Sequence, residues 1–388
     1  MKSVTFLMHN IYAMGGTVKT ISNLANELAR QGHPVKIISI FQSKKQPYFE
    51  LDSRVEVVSL VDYQLKIRNV IPLFANRIRK FTPLLKPKKL SKHEPGYTQF
   101  SSYVERKLIR AIQQDTSDVF VGTRASFNIL LARYGQKKQY RIGMEHMNLT
   151  AHTEDFRKEI LRSYTQLDAV TTLTSKDQAL YQQALPETPI FIVTNMLAEK
   201  RHHMMKKNQI IAAGRFSYEK GFDLLIEAIY HIQEELREEG YTVHIFGDGT
   251  EKEALTQTIN YMRLQDIVFL RPTTQQLSTH MAESKITCIP SRNEGFGLTI
   301  LEAMNQGSII VSFDENVGPS SLIQHGHNGF LVPYGNVEKL SLQLLDIIQK
   351  LHGQHLKQIK AAGYETVAAH APEKIYEQFN NMLASLDK

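Results

Sequence analysis

Two successive sets of short apolar runs, each alternating with amphipathic stretches, constrain this chain more than any other feature. Such alternation is the pattern of parallel sheets covered by helices. In the first set Val4 to Met8, Val35 to Ile40, Val119 to Gly122, Arg141 to Met144, Ala169 to Leu173 and Ile190 to Val193 read as strands. Between the first two, Val18 to Arg30 carries Ile21, Leu24, Ala25 and Leu28 at helical spacing. A second set follows the polar, basic stretch Asn195 to Asn208. Its strands are Ile210 to Ala213, Thr242 to Phe246, Ile267 to Leu270, Ile286 to Ile289 and Ile309 to Phe313, with a helix over Phe222 to Leu236. A length of 388 residues exceeds one ordinary core and fits two α/β domains. The expected division is a first domain over residues 1–194, a linker over 195–208, a second domain over 209–370 and a closing segment over 371–388.

Charge is unevenly placed. The net charge is +7, yet residues 66–93 alone hold nine Lys/Arg and no acid, within an insertion at about 64–93. Arg77, Arg79, Lys80, Lys88 and Lys89 stand there among Ile71, Leu73, Phe74, Ile78 and Phe81. Interleaving of this kind suits an anionic membrane surface or an anionic polymer. No zinc, helix-turn-helix or RNA-binding signature accompanies it, which argues against nucleic acid. The single cysteine, Cys288, has no partner for an internal disulfide and points to a reducing compartment. The first residues lack the flanks of a signal peptide, and no window reaches the roughly 18 apolar residues of a span. The expected location is the cytoplasm, or the cytoplasmic face of the membrane.

The richest chemistry lies in the run Ser291-Arg-Asn-Glu-Gly-Phe-Gly-Leu-Thr-Ile-Leu-Glu302. A strand ends at Pro290, a glycine-containing loop carries Glu294, and a helix begins at about Leu298. Loop glycines let backbone N–H groups approach a ligand, and a helix N-terminus favours an anion such as phosphate. Glu302 falls one turn into that helix, where a carboxylate can accept hydrogen bonds from hydroxyls. A second cationic element, Gly214-Arg215 to Lys220-Gly221, leaves the first strand of the second domain. Its Arg215 and Lys220 can clamp a diphosphate from two sides.

The run Glu294 to Glu302 resembles the E-x7-E signature of retaining GT-B glycosyltransferases of family 4. The resemblance covers nearly the whole chain, most specifically Ile210 to Pro333. It implies an α/β GT-B fold, with two Rossmann-like domains facing each other across a cleft and the C-terminal helix crossing back to the first. It implies that Arg215 and Lys220 bind the donor diphosphate and stabilise the leaving group. Glu294 would position the sugar and Glu302 the ribose, while Phe296, Gly297, Leu298 and Thr299 would form the backbone cradle. Gly214 and Gly247 match the family's glycine turns, and Arg271 falls where the nucleobase is held. Gly15 and Gly16 resemble the N-terminal glycine loop that approaches the donor phosphate. His146, after the strand Arg141 to Met144, matches a histidine that contacts the donor sugar. Where family members carry an acid after Gly-Pro, this chain has Ser320-Ser321, so a contact by that acid is not implied.

The expected reaction is transfer of a hexose or N-acetylhexosamine from a UDP-sugar, with retention. No Asp-x-Asp element stands at a strand end, so no metal or other cofactor is expected. Residues Gly122-Thr-Arg124, Glu145-His-Met147 and Leu173-Thr174 are similar to family-4 enzymes that decorate bacterial cell-wall polymers such as teichoic acid. The expected acceptor is an anionic or lipid-linked cell-envelope glycan. A GT-B sugar-nucleotide epimerase and a non-catalytic partner subunit are the alternatives. An oxidoreductase is disfavoured because Asn10 to Thr17 holds no dinucleotide fingerprint.

Overall fold

The computed structural model describes residues 1–64, 85–314, 318–350 and 352–387. They form two compact units: Met1–Met196 with Pro372–Lys388, and Leu197–Ala371.

The first unit is built on seven strands: β1 (Val4–Met8), β2 (Val35–Gln42), β3 (Val55–Asp62), β4 (Val119–Gly122), β5 (Tyr140–Met144), β6 (Ala169–Thr172) and β7 (Ile190–Ile192). All pair in parallel, in the order β3-β2-β1-β4-β5-β6-β7. Every residue of β1 is buried, as expected for a parallel strand covered on both faces. The helix Gly16–Arg30 turns Val18, Ile21, Leu24, Ala25 and Leu28 inward. Those side chains share a core with Ile375, Phe379, Met382 and Leu383 of the last helix, Pro372–Leu386. The His33 ring nitrogen Nε2, in the turn after the helix Gly16–Arg30, lies 3.2 Å from the Tyr376 hydroxyl of the last helix.

Strand β3 is absent from the sequence expectation. It lies at the sheet edge and buries Val55 and Val61 fully, so its apolar signal is diluted by half-exposed positions.

The second unit holds β8 (Lys207–Ala213), β9 (Thr242–Phe246), β10 (Val268–Arg271), β11 (Ser284–Ile289), β12 (Ile309–Asp314) and β13 (Phe330–Pro333). They too are all parallel, in the order β10-β9-β8-β11-β12-β13. In each sheet the strand order reverses once, between β1 and β4 and between β8 and β11. Open α/β sheets bind ligands outside the carboxyl ends of the strands at such a point.

The stretch expected as a solvated linker is corrected on two counts. Lys207 and Asn208 belong to β8. Residues 197–206 are pinned to the second unit. The half-buried Lys206 donates from Nζ to the carbonyls of Met281, Ser284 and Gln306 at 2.8–3.1 Å. Arg201 donates to the Asn305 carbonyl and lies 3.5 Å from the centre of the Tyr364 ring. Backbone carbonyls that satisfy cations leave no trace in sequence, so a stretch whose residues 200–205 are exposed is nonetheless tied down by hydrogen bonds.

Candidate functional site

In the second unit the two loops at the switch point are tied to each other. The turn Tyr218–Lys220 follows β8 and is a 3-10 helix. Its Glu219 carbonyl accepts the backbone N–H groups of Arg292 (2.8 Å) and Asn293 (3.3 Å), from the loop after β11. Lys220 Nζ reaches Glu294 Oε2 at 2.6 Å, and Ser291 Oγ lies 3.4 Å from the same oxygen. Both partners are partly solvent-accessible, 29% for the Lys220 side chain and 18% for that of Glu294. The cation and the carboxylate picked out by sequence therefore meet, 74 residues apart in the chain. Arg215 is exposed at the end of β8. The Glu219 carboxyl sits below the usual range, through the Ser217 hydrogen bond first and the charges of Arg215 and Lys220 after it. Both cations thus act on one turn.

Gly221 closes that turn in the left-handed region, with φ 64°. A Cβ there would stand 2.0 Å from the Pro290 carbonyl oxygen at the end of β11. Gly247 is required for a different reason. A Cβ there would meet the Gly214 carbonyl oxygen at 2.0 Å, so the turns after β8 and β9 nest only without it. Gly247 also donates its N–H to the Arg271 carbonyl at 2.9 Å.

The helix Leu298–Asn305 is capped by Gly297 and opens beside Glu294. The N–H groups of Leu298 and Thr299 have no intrahelical acceptor, so they can serve an anion. Glu302 is 7% exposed, one turn further in. Phe296 is 4% exposed, its ring centred 5.7 Å from that of His370. Its side chain is a packing element, and only its backbone is open to a cradle role. The Arg271 guanidinium is exposed, with Nε donating to His244 Nδ1 at 3.3 Å.

Sequence reasoning missed the clasp that holds these loops together. Arg292 donates from Nη1 and Nη2 to the two carboxylate oxygens of Asp223, at 2.8 and 2.6 Å. The same Nη1 also reaches the Tyr218 carbonyl at 2.8 Å, and the guanidinium lies 4.0 Å from the Tyr218 ring centre. Forked pairs of this kind fix geometry as well as adding energy. Arg292 is two residues before Glu294, but its partner is 69 residues away, so only topology reveals the pair. If these loops serve the transfer that the sequence resemblance implies, Arg292→Ala should lower its rate about tenfold through misplacement of Lys220 and Glu294, with Arg292→Lys recovering part of the loss. Steady-state rates of the two variants check this, and a wild-type rate in Arg292→Ala would leave the clasp a purely structural feature.

In the first unit, His146 follows β5. Burial, and then the Arg124 charge, pushes its imidazole down to about 4, so it is neutral at pH 7. Its neighbour Glu145 is buried, accepts from Asn128 Nδ2 at 2.9 Å and from the Tyr164 hydroxyl, and is pushed up to about 7 by burial. Gly15 caps the helix Gly16–Arg30, and a Cβ on Gly16 would meet nothing within 4 Å. Packing does not demand glycine there.

Of the basic segment, Arg77, Arg79 and Lys80 lie outside the described residues. Lys88 and Lys89 are exposed, while their backbone N–H groups donate to the Glu105 carboxylate.

Residues 195–366 match the family model described as glycosyl transferases group 1. An uncharacterized glycosyltransferase of Haemophilus influenzae is 28% identical over 348 residues, 88% of each chain. An exopolysaccharide phosphotransferase of Streptomyces coelicolor is 26% identical over 99% of this chain, which spans 41% of that protein. Among solved structures, a point mutant of S. aureus TarM in complex with Fondaparinux, alpha-GlcNAc-glycerol and UDP superposes with a TM-score of 0.78, at 16% identity. That superposition covers 98% of this chain and 99% of the other. The likeness shows the fold: two parallel-sheet, Rossmann-like domains of the GT-B type.

Proposed function

We infer that this chain, which carries a glycosyl transferase group 1 domain in a GT-B fold, transfers a hexose or N-acetylhexosamine from a UDP-sugar to a hydroxyl of a bacterial cell-envelope glycan, with retention. One observation carries the reading. The Lys220–Glu294 pair stands at the carboxyl ends of the two switch-point strands of the second unit, beside a helix N-terminus and the cation Arg215. That is a diphosphate cradle next to a carboxylate able to hold sugar hydroxyls.

In the reaction, the bond from the sugar C1 to the diphosphate oxygen breaks. A bond from C1 to the acceptor oxygen forms on the same face, and the hydroxyl proton passes to the departing phosphate. Arg215 and Lys220 oppose the charge that builds on the leaving group. Glu294 orients the sugar, and Glu302 accepts from the ribose hydroxyls. UDP as the nucleotide and an envelope polymer as acceptor are supported by the contents of the TarM complex and by the exopolysaccharide role named for the Streptomyces relative. Membrane-surface or polyanion contact through the basic segment belongs to the same proposal. Among the described residues no helix is long and apolar enough to cross a membrane.

Calorimetric titration with UDP tests the nucleotide site. Glu302→Ala should weaken UDP about tenfold, the loss expected for hydrogen bonds to a charged acceptor. Unchanged affinity would take Glu302 out of the site. The anomeric configuration of the product, read by NMR, tests retention.

The diphosphate charge is balanced by Arg215 and Lys220 in this proposal, so transfer should persist in excess chelator. Among the described residues no three metal-ligating side chains gather. Loss of activity in chelator that Mn2+ or Mg2+ restores would refute metal independence.

A further inference from the structure

The helix Leu298–Asn305, which carries Glu302, has only eight residues. At about 1.5 Å of rise per residue it is roughly 12 Å long, so a shift at one end is felt at the other. Its last carbonyls have no intrahelical donor. Segment 199–206 supplies donors to two of them. Arg201 Nε donates to the Asn305 carbonyl at 3.1 Å, and Lys206 Nζ to the Gln306 carbonyl just past the helix at 3.0 Å. Cations at this end also suit the helix dipole. Side chains return the connection. Asn305 Nδ2 donates to the Glu199 carbonyl at 3.0 Å and Gln306 Nε2 to the Lys200 carbonyl at 2.9 Å, while Gln306 Oε1 accepts the His202 N–H at 2.8 Å. Asn305 and Gln306 are both buried, so these bonds form where water competes little.

Gln306 stands at the join. Its N–H donates back to the Glu302 carbonyl at 3.2 Å, while its own carbonyl receives Lys206. A single residue therefore links the amine to the backbone of Glu302. The other two Lys206 bonds fix the frame of reference. They go to the Met281 carbonyl, in the helix Leu277–Glu283, and to the Ser284 carbonyl, at the first residue of β11. The far end of β11 leads into the Glu294 loop. An ammonium has three donors, and here each has its own carbonyl. We propose that Lys206 is a positioning residue for Glu302: it ties the C-terminal end of this short helix to the start of β11 and, through Gln306, sets where Glu302 stands. That Glu302 serves a nucleotide rests on the glycosyltransferase reading; that Lys206 holds the helix does not.

Two measurements on the full chain test it. Hydrogen exchange without ligand reads the tether itself. Lys206→Met keeps an unbranched side chain and removes its donors, and should speed exchange over Leu298–Gln306 about tenfold while β8 is unchanged. Calorimetry with UDP reads the consequence. Lys206→Met should weaken UDP about fivefold in the otherwise wild-type chain, but by less than about twofold when Glu302 is already alanine, because a residue that acts through Glu302 adds little once Glu302 is gone. Lys206→Arg, which restores donors, should recover affinity. Gln306→Ala keeps Lys206 but loses the side-chain links to Lys200 and His202, and should repeat the pattern if Lys206→Met does not fold. Equal losses in the two backgrounds would make Lys206 a support of the whole unit and overturn the proposal. Unchanged exchange, or wild-type affinity in a folded Lys206→Met variant, would overturn it equally. Wild-type protein that binds no UDP would refute the nucleotide reading alone, and the exchange comparison would still decide whether Lys206 holds the helix.

Discussion

Lys220→Ala should lower turnover by on the order of 100-fold, the loss typical of removing one electrostatic donor from a developing negative charge. Arg215→Ala should act in the same direction, since both cations border the Glu219 turn. The structure adds a reason for Lys220 to be the more severe. It is the cation engaged with Glu294, so on the proposed reading its loss would both remove charge from the diphosphate and free the carboxylate assigned to the sugar. Single-turnover rates at saturating donor separate this from weakened binding. The protein should remain folded, because both side chains of the pair are partly solvent-accessible and neither fills a core. A folded Lys220→Ala variant with the wild-type rate constant would refute the assignment.

The largest expected effect on stability comes from Gly221→Ala. A non-glycine residue in the left-handed region costs about 1–2 kcal/mol. The added methyl would also press on the Pro290 carbonyl, 2.0 Å from the ideal Cβ position. Relieving that overlap costs about 1–3 kcal/mol more, as overpacking generally does. Backbone is the obstacle, so no side-chain rotation removes it. For a unit of this size the sum corresponds to a fall in Tm on the order of 10 °C. Calorimetry checks it, and a Tm within about 2 °C of wild type would show that the turn after β8 can move away from β11 freely. Because the shift would draw Lys220 away from Glu294, activity should fall in the folded fraction as well.

Legibility in the sequence follows burial. Strands such as β1 and β4, shielded on both faces, are nearly continuous apolar runs and read directly as strands. β3 does not, because an edge strand with one open side mixes Glu56 and Ser59 into its pattern. The Glu294 to Glu302 run is visible because strand end, loop and helix start are contiguous. Asp223 and Glu94 are not, because each acquires meaning only from a partner that the sheet brings to it, Arg292 and Arg124. Lys206 misleads for a related reason: its ammonium donates hydrogen bonds to three backbone carbonyls, and every sequence offers those.

The return of Pro372–Leu386 to the first unit has a consequence in time as well as in space. The second unit is one uninterrupted segment, Leu197–Ala371, placed inside the sequence of the first. A chain made from its N-terminus therefore releases everything the second unit needs before the first is complete. Until the last helix emerges, the core shared by Ile21, Leu24 and Leu28 lacks Ile375, Phe379, Met382 and Leu383. During that interval the first sheet carries an uncovered apolar surface that the nascent protein must keep from other chains. The earlier-born half is thus the last to finish.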